Sequence, residues 1–320
     1  MSTKTTKTRG IGVSRKKRKG VWSNKIDTLQ LSILAIPAVL LLVIFNYIPF
    51  FGFILPFKDY RAIDGIFGSK WIGLKNFEFL FSGEDVLRAT RNTVLYNIVF
   101  IISGVLLSMA FAIMLYHLTR RAVKTYQTIF FLPYFVSWVV ASYAFSAFLD
   151  MEHGIFNHVL SWLGMETVMW YNKPAVWPFI LFFANIWKTL GYNAIIYYTE
   201  IMSIDKGLFE AARIDGATSW QETKYITIPC LRRILVLLLI TNIGKIFSGD
   251  FGMFYNLTLD SSLLYETTDI IDTYVYRALM NLGNIGMSSA ATFYQTVVGF
   301  ILVIVSNTII KKIDSENAVF

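Results

Sequence analysis

Long uncharged runs dominate the pattern of polar and apolar positions along this chain. Residues 28–57, 92–119, 125–149 and 278–310 contain no Asp, Glu, Lys or Arg. A hydrocarbon layer about 30 Å thick needs about 20 helical residues to cross it, so each run is long enough for one spanning helix. Two further runs are interrupted once each, residues 174–199 by Lys188 and residues 234–249 by Lys245, and the second stops at Asp250. The pattern predicts six spans in an all-α, polytopic membrane protein. Pro37, Pro49 and Pro56 fall in or near the first run and are expected to kink or end its helix. A secretory signal also follows a basic segment. This run, however, is about twice the apolar length of such a signal and no small-residue cleavage site follows it, so a retained helix is expected.

Composition agrees with this picture. Apolar residues make up 55% of the chain, charged residues 16%, and the mean hydropathy is +0.53. A soluble domain carries about a quarter charged residues, and a soluble chain this apolar would expose large sticky patches. The single cysteine, Cys230, excludes an intrachain disulfide and zinc-type cysteine spacing, and a packing role is expected for it.

The net charge of +8 is unevenly distributed. With the N-terminus inside, the inner segments hold nine cations before residue 26, then Arg120, Arg121 and Lys124, then Lys206, Arg213, Lys224, Arg232 and Arg233, then Lys311 and Lys312. The outer loops hold fewer: Lys58, Arg61, Lys70, Lys75, Arg88, Arg91, Lys173 and Arg277. This bias predicts both termini in the cytoplasm. The basic run at residues 15–19 is better suited to anionic lipid headgroups beside a first span than to nucleic acid, and the Ser/Thr/Lys-rich residues 2–8 are expected to be disordered. The expected layout is a basic cytoplasmic tail (1–27), a six-helix transmembrane domain (28–312) and a short cytoplasmic end (313–320).

The segment between the fourth and fifth spans, residues 203–229, carries the most local information. Asp205 is a helix N-cap candidate. The helix it opens should run to about Asp215, with Gly216 placed to stop it. Leu208, Phe209, Ala212 and Ile214 are its apolar positions, and Ala211 and Ala212 keep one surface low enough for another protein to approach closely. Ser219-Trp220-Gln221-Glu222 reads as a capping box for a second helix, and Pro229 suits the first turn of the fifth span. A bare connector packed against the bundle would also fit these features.

Glu210-Ala211-Ala212, three residues, Gly216, nine residues and then Ile226-Thr227-Ile228-Pro229 resembles the loop of binding-protein-dependent ABC importer permeases, whose pattern is E-A-A, three residues, G, nine residues, I-x-L-P. Ile228 stands where leucine is usual. The string E-A-A-R-I-D-G-A, including Asp215 and Ala217, is similar to the sugar-importing branch and to its first-permease type. Trp187-Lys188-Thr189-Leu190-Gly191-Tyr192 ahead of the loop adds to the likeness. The resemblance implies the type I ABC importer permease fold in a bacterial plasma membrane. It implies that the loop helix docks on a cytoplasmic ATPase, with Glu210 facing polar or basic groups, and that ATP-driven closure rocks the spans to alternate access. It also implies a homologous second permease, a sugar-binding lipoprotein outside, and a sugar, leaning towards an oligosaccharide, as cargo.

The chain has no G-x-x-x-x-G-K-[ST] motif, so ATP and magnesium are expected on a partner subunit and no cofactor on this one. No catalytic or metal site is expected either. His153 and His158 stand five apart, on different helix faces, and His117 is remote from both. Charges inside spans usually face a cavity or a partner, which makes Lys188, Lys245 and Asp250 candidates for the substrate path. Lys245 and Asp250 are placed to pair near the outer side, either as part of the path or as a structural ion pair. Trp187, Tyr192, Asn193 and Asn242 supply the stacking faces and amides that recognise sugars, although helix packing would explain each of them. The outer segments 58–91, 150–173 and 250–277 are expected to meet the binding protein. The rival readings are an ATP-independent secondary transporter or channel, which would show inverted repeats or broken helices with buried carboxylates, and a membrane-embedded enzyme.

Overall fold

The computed structural model describes residues 25–313. The run at 15–19 and both chain ends lie outside the described residues. The first helix, α1 (Lys25–Leu42), tolerates Pro37 but gives way to a π turn over Val43–Tyr47 and a 3-10 segment over Ile48–Phe57. Pro49 and Pro56 lie in the 3-10 part. Residues up to Phe53 form one unit and those from Ile54 onward another.

In the second unit, a two-residue antiparallel ladder, β1 (Lys58–Asp59) with β2 (Lys70–Trp71), ties the first outer segment together. The Asn76 amide donates to the carbonyls of Pro56 (2.9 Å) and Lys58 (2.8 Å). Then comes α2 (Glu84–Tyr116), with Glu84 and Asp85 favourably placed against its N-terminal dipole.

Next are α3 (Arg120–Phe131) and α4 (Trp138–Phe148), capped by the Thr119 and Ser137 hydroxyls. The two stretches Arg120–Phe135 and Trp138–Phe148 bend by 100° at Val136 and Ser137, just beyond Pro133. Together they contribute one span, and α5 (Ile155–Trp162) follows them. The long α6 (Trp177–Ser203) packs most extensively on α2. It approaches α3 so closely at Gly191 that a Cβ there would lie 2.1 Å from the Phe130 carbonyl oxygen.

The chain continues through α7 (Lys206–Ile214), α8 (Ser219–Glu222), α9 (Arg232–Ile243), α10 (Phe251–Leu257), α11 (Ile271–Leu282) and α12 (Ile285–Ile313), with single helical turns at Ile228–Cys230 and Tyr265–Thr268.

Among the described residues four stretches are long and apolar enough to cross a membrane, and counting each of the bent pairs Arg120–Phe135 with Trp138–Phe148 and Ser219–Cys230 with Arg232–Ile243 as one span gives six. On that count the six spans expected from the charge-free runs are matched, two of them broken. The fifth ends at Ile243, six residues before the expected limit, and Lys245 lies in the turn beyond it.

Buried side chains gather in two clusters. One, around Phe111, Leu115, Tyr197, Ile201 and Leu231, lies toward the 203–229 loop. The other, around Trp138, Trp177, Leu181, Phe254 and Ile270, lies toward the opposite end of the spans. There Asn92 donates to the Glu266 (3.2 Å) and Asp269 (3.1 Å) carbonyls, and the Thr93 hydroxyl accepts from the Ile271 N–H (2.9 Å). Arg277 binds both Asp260 (2.8 Å) and Asp269 (2.7 Å) and lies 4.0 Å from the Tyr265 ring centre. Burial pushes the Asp269 carboxyl above the usual carboxylate range, against the pull of Arg277.

Candidate functional site

The 203–229 loop folds largely as its residues dictate. Asp205 caps α7, its carboxylate accepting the Gly207 N–H at 3.0 Å. At the other end Gly216 adopts φ +83°, where a side chain is disfavoured. Two bonds close the turn: the Ala217 N–H reaches back to the Ala212 carbonyl (2.9 Å) and the Gly216 N–H to the Arg213 carbonyl (3.1 Å). This is a Schellman termination, and it explains in physical terms why Gly216 stands four residues beyond Ala212.

The capping box forms one residue earlier than expected, on Thr218 and Gln221: the Thr218 N–H donates to Gln221 Oε1 at 2.7 Å. Glu222 does not serve in it, because that carboxylate is buried, 4% exposed, and receives Arg213 Nε (2.7 Å) and Nη2 (3.3 Å). Pro229 also departs from expectation. It sits in a short helix, Ile228–Cys230, ahead of the 55° bend, so the straight part of the fifth span begins at Arg232. Cys230, expected to pack, is exposed at that bend.

The outward surface of α7 is unusually apolar for an exposed helix. Phe209 is 3% exposed and turns inward against Tyr116, with ring centres 5.6 Å apart. Leu208, Ile214 and, on α8, Trp220 are instead exposed, beside exposed Glu210 and Ala211. One side chain anchors the helix while its other face stays uncovered.

In the spans, a cavity of about 200 Å³ lies between α2, α6 and α9, lined by Asn97, Asn185, Thr189, Asn193, Asn242 and Asp250. Three expected path residues, Asn193, Asn242 and Asp250, are thus brought together. Among the described residues the side-chain amides of Asn185, Asn193 and Asn242 have no protein hydrogen-bond partner, whereas Asn97 donates to the Thr93, Ile246 and Ser248 carbonyls.

The other expected path residues stand apart from this cavity. Tyr192 stacks on Tyr134 at 4.3 Å with planes 7° apart, and Phe131 extends the stack. Trp187 meets the edge of Phe145. Lys188 donates to the Tyr134 (3.4 Å) and Val136 carbonyls at the break between α3 and α4, and its ammonium lies over the Trp138 ring.

The expected Lys245–Asp250 pair does not form. Asp250 instead caps α10 through the Met253 N–H (3.1 Å) and accepts the Trp138 indole N–H (2.6 Å). Asn97, Asn185 and Thr189 were not expected at the cavity. A polar residue inside an uncharged run was the available signal, but only helix packing selects which of them converge. Among the described residues no cluster of His, Cys, Asp or Glu has the geometry to hold a metal ion.

A membrane bundle with an exposed, motif-bearing helix between its fourth and fifth spans defines a transport permease. Comparison with known proteins agrees. Residues 91–315 match the family model described as binding-protein-dependent transport system inner membrane component, and this chain belongs to that family. It is a multi-pass membrane protein and a transport subunit rather than an enzyme. It is 29% identical to the polygalacturonan/rhamnogalacturonan transport system permease protein YteP of Bacillus subtilis, over 94% of each chain. It is 30% identical to protein LplB of the same organism, over 89% of this chain and 90% of the other. Among solved structures, it matches a chain of a bacterial ABC transporter involved in import of the acidic polysaccharide alginate, with TM-score 0.81, 32% identity and coverage of 91% of this chain and 97% of that one. A second match, with TM-score 0.80 and 31% identity over 90% of this chain and 96% of the other, is to the alginate transporter in complex with an alginate pentasaccharide-bound periplasmic protein.

Proposed function

We propose that this chain is one permease subunit of an ATP-driven importer that carries a sugar, most simply an oligosaccharide, across a bacterial plasma membrane. The observation that carries this reading is the uncovered face of α7, which combines exposed Leu208, Glu210, Ala211 and Ile214 with a glycine-closed turn. A helix so placed is a docking element, and the chain has no ATP-binding motif of its own. The ATPase, with ATP and magnesium, is a separate dimer. Its two docking grooves call for a second, homologous permease beside this one.

Both termini and the 203–229 loop lie in the cytoplasm, as the Lys/Arg bias supports. The segments 58–91, 150–173 and 250–277 then face a lipid-anchored sugar-binding protein. The basic run at residues 15–19, outside the described residues, suits anionic headgroups, residues 28–312 form the permease domain, and residues 313–320 are its cytoplasmic end. Glu210, Ala211, Ala212, Asp215, Gly216, Ala217 and Pro229 serve the coupling loop. Asn193, Asn242 and Asp250 line the path through the spans, where amides and a carboxylate suit sugar hydroxyls, and Tyr192, Trp187 and Lys188 border it. The relatives that handle polysaccharides support the choice of sugar.

The test is reconstitution of the full complex in liposomes, with ATP hydrolysis and sugar uptake measured with and without the binding protein. Uptake that depends on ATP and is abolished by Glu210→Ala with Gly216→Pro, membrane insertion being intact, supports the proposal. Uptake without ATP, or a silent loop change, refutes it and favours a secondary transporter.

A further inference from the structure

The contact between Arg213 and Glu222 spans the turn that joins α7 to the stem of the fifth span. Arg213 lies in the last turn of α7 with its side chain 61% exposed, while the Glu222 side chain is 4% exposed. The guanidinium delivers two hydrogen bonds, Nε to Oε1 and Nη2 to Oε2. A two-pronged bond of this kind fixes orientation as well as distance, whereas a lysine ammonium acts as a point about which the partner can pivot. Between the two residues the turn is closed by the Ala217–Ala212 and Gly216–Arg213 bonds and by the Thr218–Gln221 box. The chain up to Glu222 is thus braced at every step.

Beyond Glu222 the α-helical winding ends. Thr223–Thr227 is wound as a π-helix, and the axis then bends by 55° at Leu231.

We infer that Arg213 is a positioning residue, whose paired bond to Glu222 makes α7, the turn and α8 a single lever that delivers displacement of α7 to the bend at Leu231. The inference rests on the reading that α7 docks on an ATPase. A bond needed only for folding would be satisfied by any cation at position 213, because its role would be to neutralise a buried carboxylate. A lever needs the fork.

Arg213→Lys separates the two roles, and Arg213→Ala sets the limit. In the reconstituted complex we measure sugar taken up per ATP hydrolysed, together with the spin-label distance distribution between position 206 and position 236. Arg213→Lys is expected to leave the amount of assembled complex and its ATP hydrolysis in place, to lower uptake per ATP by about ten-fold, the factor set by losing one charge-assisted hydrogen bond, and to broaden the distance distribution. Arg213→Ala is expected to lower it further. Wild-type uptake per ATP and an unbroadened distribution in Arg213→Lys overturn the lever while leaving the docking reading intact. A silent Glu210→Ala, Gly216→Pro change overturns the docking reading and the lever with it.

Discussion

Replacing Gly191 by alanine tests the packing that organises the middle of the bundle. A Cβ at position 191 falls 2.1 Å from the Phe130 oxygen, 2.3 Å from its carbonyl carbon and 2.6 Å from the Phe131 nitrogen. All three are backbone atoms, so no rotamer change relieves the clash. To bring the first contact to 3.4 Å, α6 and α3 must separate by about 1.3 Å. A gap of 0.5–1 Å already forfeits a quarter to a half of the dispersion attraction at a contact. The Tyr134–Tyr192 stack, at 4.3 Å, stands next to Gly191 in sequence and opens with it. Overpacking of this kind costs about 1–3 kcal/mol. Gly104, in the interior of α2, has nothing within 4 Å of the corresponding Cβ, so Gly104→Ala should be neutral or gain up to about 1 kcal/mol from helix propensity. Thermal inactivation of the detergent-purified complex should therefore come earlier for Gly191→Ala and no earlier for Gly104→Ala. Equal midpoints for Gly191→Ala and the parent chain would refute the close approach of α3 and α6, and with it the stacking of Tyr192 on Tyr134.

Three further outcomes follow from the same reasoning. Arg277→Ala removes the partner of Asp269, whose side chain is 1% exposed, and should cost about 3–5 kcal/mol, read as lost protease resistance in the 250–283 region. Trp138→Phe deletes the indole N–H held by Asp250 and should cost about 1.5–3 kcal/mol, the value of a hydrogen bond to a charged group, measured by chemical denaturation in detergent. Gly216→Ala places a side chain at φ +83° and should cost about 1–2 kcal/mol locally. Hydrogen exchange across residues 206–217 should quicken, and Gly216→Asn should show a smaller effect.

The spans were legible because charge is expensive in hydrocarbon, so a run of 25 or more uncharged residues records its environment directly. The breaks were not legible in the same way. Residues 125–149 read as one run, yet the chain turns by 100° within them, because hydropathy carries no information about backbone direction. Pro133 and the N-cap residue Ser137 were the local signs. The α7 turn was legible because a Schellman closure is made within six residues, from Ala212 to Ala217.

The capping box shows where local reading stops. Thr218-x-x-Gln221 and Ser219-x-x-Glu222 both satisfy the pattern, and the choice falls to the first because Arg213 engages Glu222. Arg213 and Glu222 are nine residues apart, outside the reach of a cap rule. The same limit explains the error at Asp250. Its partner, Trp138, is 112 residues away in sequence, whereas the expected partner Lys245 was only near along the chain.

The sequence by itself determined that the chain crosses a membrane, how many times, which residues form α7 and how that helix ends, since each depends on solvation of a run or on bonds within one turn. The tertiary structure alone decided which asparagines meet at the cavity, which carbonyls at the α3–α4 break Lys188 satisfies, and that Glu222 belongs to Arg213. Those outcomes depend on which faces of distant helices meet, and glycine contacts such as Gly191 on Phe130 set that register at distances no one-dimensional pattern encodes.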